Sequence, residues 1–66
     1  MSPKYPNIKV NLSDIDGNAF NIMATITTAL RKNAVSDEQV EQYLADSTAS
    51  DYNNLLVTAA EWVTIS

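Results

Sequence analysis

The spacing of apolar residues changes once near the start of this chain, and that change limits the fold more than any other feature. Ile8-Lys9-Val10-Asn11-Leu12 alternates apolar and polar side chains, the period of a half-buried strand with Ile8, Val10 and Leu12 facing inward. From Ala19 to about Lys32 the period becomes that of a helix. Phe20, Met23, Ile26 and Leu30 share one face, and Asn21, Thr25, Thr28 and Lys32 lie opposite. Ile22 and Ala29 widen the apolar arc to about half the circumference, broader than a surface helix needs. This helix is therefore expected to be central, with neighbours on more than one side.

Two further helices follow from local signals. Ser36-Asp37-Glu38-Gln39 has the capping-box pattern, in which Ser36 accepts from the Gln39 backbone N–H and the Gln39 side chain reaches back. The helix it starts, about Asp37 to Asp46, carries a narrow stripe of Val40, Tyr43 and Leu44 and turns Glu38, Glu41, Gln42 and Asp46 to water, as an outer helix would. Ser47-Thr48-Ala49-Ser50 breaks it, and Ser50 or Asp51 caps a third helix bearing Tyr52, Leu55, Leu56, Ala59 and Val63 on one side. Trp62-Val63-Thr64-Ile65 is rich in β-favouring types. It reads either as a short second strand pairing with Ile8–Leu12 or as the last turn of the third helix. Residues 1–6 hold both prolines, Pro3 and Pro6, and are expected to be a flexible lead-in to a single domain over 1–66.

The fold these elements imply is α+β, β-α-α-α-β, with three helices packed on a minimal two-stranded sheet. The alternative is an all-α three-helix domain with an extended N-terminal arm. A chain of 66 residues without cysteine has neither disulfides nor thiolate metal sites to supplement its core, and such domains bury only about 60% of the surface they expose when unfolded. Self-association is the remaining common remedy. A symmetric homodimer is expected, through the surplus apolar arc at Ile22, Ile26 and Ala29 or through sheet edges at Ile8–Leu12.

Ser13-Asp14-Ile15-Asp16-Gly17-Asn18-Ala19-Phe20 places two carboxylates beside the only glycine. A calcium loop of the EF-hand type needs glycine at its sixth position and a bidentate glutamate at its twelfth. Counted from Asp14, Gly17 is fourth and Thr25 twelfth; counted so that Gly17 is sixth, Leu12 is first and Met23 twelfth. Neither register works, and a phosphate loop would need more glycines and a lysine. The stretch reads instead as a strand-to-helix turn built by Asp16, Gly17 and Asn18. Gly17 supplies a left-handed turn residue, Asn18 the N-cap, and Asp14 and Asp16 favourable charge near the helix dipole.

No histidine and no cysteine occur, which removes the commonest general base and the best nucleophile, so no catalytic, cofactor-binding or metal residues are expected and the chain is not read as an enzyme. Four Lys+Arg stand against eight Asp+Glu, a net charge of −4. Nucleic-acid binding, which commonly draws on about 6–10 phosphate contacts, is not expected. Arg31 and Lys32 have a structural use, complementing the dipole at the end of the first helix. No apolar run of about 18 residues exists for a membrane span, and the first residues lack the apolar core of a secretory signal. Phe20, Tyr43, Tyr52 and Trp62 fall on or near apolar faces and are expected mainly in the core. Trp62, at the margin of its stripe, and Val57, alone on a polar face, are the aromatic and aliphatic residues best placed to be exposed contacts.

Asp16-Gly17-Asn18-Ala19-Phe20, with Ile22, Ala29-Leu30-Arg31, Val35, Tyr43-Leu44, Ser50-Asp51-Tyr52-x-Asn54-Leu55-Leu56 and Trp62-Val63, resembles a group of small proteins encoded by tailed bacteriophages and prophages. The resemblance spans about Asp14 to Val63, and its DGNAF element is the distinctive part. Members often have glycine where this chain has Ser50. The resemblance implies a protein made in the cytoplasm of an infected bacterial host and supplies no catalytic or binding residues. With the small acidic chain and the missing catalytic types, it leads to the expectation of a non-catalytic accessory protein that binds a host or phage protein. The alternative is a structural or assembly component of the phage particle.

Overall fold

The computed structural model describes residues 3–13 and 17–65; Asp14, Ile15 and Asp16 lie outside them, so the part assigned to Asp16 in the turn falls outside the described residues. Along the chain come β1 (Tyr5–Val10), α1 (Ala19–Lys32), α2 (Asp37–Ser47), α3 (Tyr52–Trp62) and β2 (Val63–Ile65). This is the α+β order expected, and the all-helical alternative falls with the two-stranded sheet. The strands pair in parallel, which requires a long crossover, here made of all three helices.

The sequence places Pro6 in a flexible lead-in, but β1 begins at Tyr5 and runs through it. The ladder is irregular between Tyr5, which pairs with Val63, and Lys9, which pairs with Thr64. A proline cannot donate to a ladder, and a bulge is where a strand tolerates one. The Pro6 carbonyl is nevertheless used, accepting from Thr64 Oγ1 at 2.8 Å. Two residues earlier, Lys4 N–H donates to the Glu61 carbonyl at 2.8 Å. Residues 4–6 are thus docked on the end of α3 and on β2. Leu12, expected in the strand, lies beyond it and packs half-buried against the core.

α1 lies against β1, α2 and α3. Its wide apolar arc is explained by those three neighbours. Ile22, Ile26 and Leu30, spaced four apart, are buried with Ile8 and Val10 from β1, Val40 and Tyr43 from α2, and Leu55, Ala59 and Trp62 from α3. The face assigned to a homodimer is therefore mostly interior: Ile22 is 3% exposed, Ile26 is fully buried, and Ala29 is half-buried. Trp62 is buried as well, stacked on Tyr5 with ring centroids 6.0 Å apart and meeting Tyr43 edge-on at 5.8 Å.

The caps of the second and third helices fall at residues their sequences favour. Ser36 Oγ accepts from Gln39 N–H at 3.3 Å, and Asp51, the nearer of its two candidates, accepts from Asn54 N–H at 2.9 Å. The return half of the Ser36 capping box is missing, because Gln39 Oε1 is buried without a hydrogen-bond partner. On α2 the phenol of Tyr43 is also buried. Burial pushes its pKa above 10.0, and nearby Ser47 partly opposes this although the two hydroxyls fall short of hydrogen-bond geometry.

The left-handed residue of the fold is not the glycine. No described glycine has positive φ, whereas Ala34 has φ 62. Ala34 follows the Asn33 C-cap of α1. Its N–H donates to the Arg31 carbonyl and that of Val35 to the Leu30 carbonyl, the paired bonds of a Schellman ending, in which glycine usually occupies the left-handed site. A Cβ built on Gly17 would meet Tyr52 Oη at 3.7 Å, an ordinary contact. Gly17→Ala is therefore expected to be neutral or to gain about 0.4–1 kcal/mol through the unfolded state. Ala34→Gly is expected to gain about 1 kcal/mol by relieving the Cβ clash of left-handed backbone. Thermal melts of the two variants check this; a Gly17→Ala protein melting well below Ala34→Gly and wild type would restore glycine's special role in the turn.

Candidate protein-contact site

Two helix starts, those of α1 and α3, meet at one corner of the molecule. Asn18 caps the first, its Oδ1 accepting from Phe20 N–H at 2.8 Å. Tyr52 opens the second and sends its hydroxyl across to donate to the Gly17 carbonyl at 2.6 Å. The first turn of α3 is held from the other side too, where Asn54 Nδ2 donates to the Asp46 carbonyl at 2.9 Å. Hydrogen bonds across elements thus fix the corner. The only glycine serves here through its carbonyl, which accepts the tyrosine.

Between these starts lies a shallow notch of about 300 Å³ with Phe20, Met23, Tyr52 and Leu55 as its apolar lining and Thr48, Ser50 and Asp51 among its polar residues. Phe20 is 77% exposed, the largest value among the large hydrophobic residues described. At about 100° per residue it lies about 120° around the helix from Ile26, on the margin of the buried stripe. Its expected place in the core is thus corrected. Tyr52 is likewise exposed, and Leu56, one turn further along α3, extends the apolar surface.

Of the contact residues expected from sequence, only Val57 is open to solvent, half-exposed on α3. Ile22, Ile26 and Trp62 are core residues, and Ala29 lies in a different groove, beside β1. The structure does not bring these five together on one surface. Phe20 and Tyr52, placed by pattern on apolar faces, take the exposed role instead. The signal was the position of each in the first turn of its helix, where a side chain can project past the layer it belongs to.

Chemically the corner offers apolar area, aromatic edges and a rim of hydroxyls with one carboxylate. Among the described residues no three carboxylates gather where a metal ion could be held, and no helix is long and apolar enough to cross a membrane. No family model matches the chain, and neither does any curated protein or any solved structure.

Proposed function

We propose that this chain is a non-catalytic phage accessory protein that binds a host or phage protein in the cytoplasm of the infected bacterium, and that the notch at Phe20 is the contact surface. The supporting observation is an aromatic ring left 77% exposed on a rigidly held helix start, beside a second exposed aromatic, Tyr52. Such a ring has no part in the core. Binding hot spots are enriched in aromatic side chains that fill a partner's pocket at small entropic cost. The phage setting rests on the resemblance carried by the DGNAF element and the residues that accompany it.

Phe20→Asp tests this, because the substitution separates binding from stability. The first turn of α1 has no acidic residue, so a carboxylate there is favoured by the helix dipole and the melting temperature should hold or rise slightly. In capture from lysate of the infected host, a protein retained by wild type should be lost with Phe20→Asp. Equal retention by the two forms would remove the notch from the function. Stoichiometric recovery of the chain from purified virions would instead favour the assembly role.

A further inference from the structure

The sheet has two strands, in the order β1-β2, so β1 has a strand beside it on one flank only among the described residues. Along its other flank runs an open groove of about 770 Å³, lined by residues of β1 and α1, including Asn7 to Asn11, and by none of β2. At about 3.3 Å per residue Asn7 to Asn11 cover about 16 Å, the length of an ordinary strand, and Asn7, Lys9 and Asn11 are the positions at which an added strand would pair. The facing side of α1 presents Ala24, Thr25, Thr28 and Ala29. These side chains are small, and they leave room where larger ones would close the gap.

Charge selects the occupant. Lys9 and Lys32, two of the four cationic residues in the chain, line the groove, and no described Asp or Glu does, although the chain as a whole carries −4. A second copy adding its own β1 would bring another Lys9 to the same edge, and like charges opposed across strands are destabilising. Lysine on an edge strand is a common guard against such self-pairing.

We infer that the groove between β1 and α1 takes an extended acidic segment of a partner protein, added as a strand to the β1 edge with its carboxylates at Lys9 and Lys32. Backbone hydrogen bonds supply affinity in this mode, and the flanking side chains supply selectivity. The groove shares no lining residue with the Phe20 notch, so it stands or falls separately from that reading.

A displayed library of random octapeptides, panned against the full chain, tests the proposal. The selected sequences should be enriched in Asp and Glu and poor in proline, which cannot donate to a ladder. The strongest of them should perturb backbone amides of residues 7–11 and 24–33. Lys9→Glu with Lys32→Glu should weaken that peptide by about tenfold, the yield of two exposed ion pairs. Thr28→Trp, which fills the groove without changing charge, should abolish binding, and Phe20→Asp should leave it intact. Circular dichroism confirms that each variant folds. Selection of neutral or basic peptides, failure to select any, or perturbations centred on Phe20 and Tyr52 would overturn the inference. So would a wild-type dimer that Thr28→Trp dissociates, since the occupant would then be a second copy.

Discussion

Trp62→Ala is expected to leave little folded protein at 25 °C. Trp62 is 5% exposed, stacked on Tyr5 and edge-on to Tyr43, with Lys4 Nζ 4.4 Å from its ring centre. Truncating a buried aromatic of this size costs about 3–5 kcal/mol, and the ring pairs add to that. At about 0.05–0.15 kcal/mol per residue, a domain this small has a total stability of about 3–10 kcal/mol. The loss is therefore comparable to the whole. It also loosens the start of β1, because Tyr5 stacks on this ring and Lys4 lies over it. Urea titration followed by far-ultraviolet circular dichroism measures the effect, since the variant has no tryptophan left to report by fluorescence. Trp62→Phe should fold with a lowered midpoint. An alanine variant melting within a few degrees of wild type would show that the ring is peripheral.

Ile22→Glu is expected to unfold the chain and not to release a folded monomer. Ile22 is 3% exposed and sits among the core residues. The substitution removes apolar burial worth about 2–5 kcal/mol and adds a carboxylate whose burial without a partner costs several kcal/mol more. None of the four cationic residues belongs to the core cluster that surrounds it. Sedimentation equilibrium with circular dichroism on the same sample distinguishes the outcomes. A helical, compact monomer derived from a wild-type dimer would return this residue to an interface; loss of helical signal places it inside one chain.

The helices were legible in the sequence because their signals are local. Ser36 and Asp51 announce their helices within four residues, and the bounds of α1 follow from apolar period and from Asn18. The β-α-α-α-β order follows from the same reading once Val63–Ile65 is taken as a strand. What the sequence concealed depends on pairs distant along the chain. Pro6 looks like a strand breaker until β2 supplies an irregular ladder and Thr64 a hydroxyl for its carbonyl. The wide arc of α1 looks like surplus surface until β1, α2 and α3 are all laid on it. Ala34 occupies a left-handed position that its residue type does not advertise, while Gly17, which does advertise one, has none. The candidate contact site was half legible: the exposed patch needed α1 and α3 to start at the same corner, which the Tyr52–Gly17 hydrogen bond and the shared lining of the notch show and the sequence does not.

The parallel pairing of β1 with β2 has a consequence for how the molecule is made. The hydrogen bond from Thr64 to Pro6 joins positions 58 residues apart. A ribosome delivering about 5–20 residues per second has already exposed β1 while the segment that must lie beside it is still untranslated. The hairpin of α1 and α2 closes over a short distance and is complete in the chain before β2 is made, whereas the strand ladder waits on the longest loop in the chain. Nascent β1, with Ile8 and Val10 uncovered, is in that interval the segment most in need of shelter, and the time it spends alone is set by translation speed and not by any contact in the finished fold.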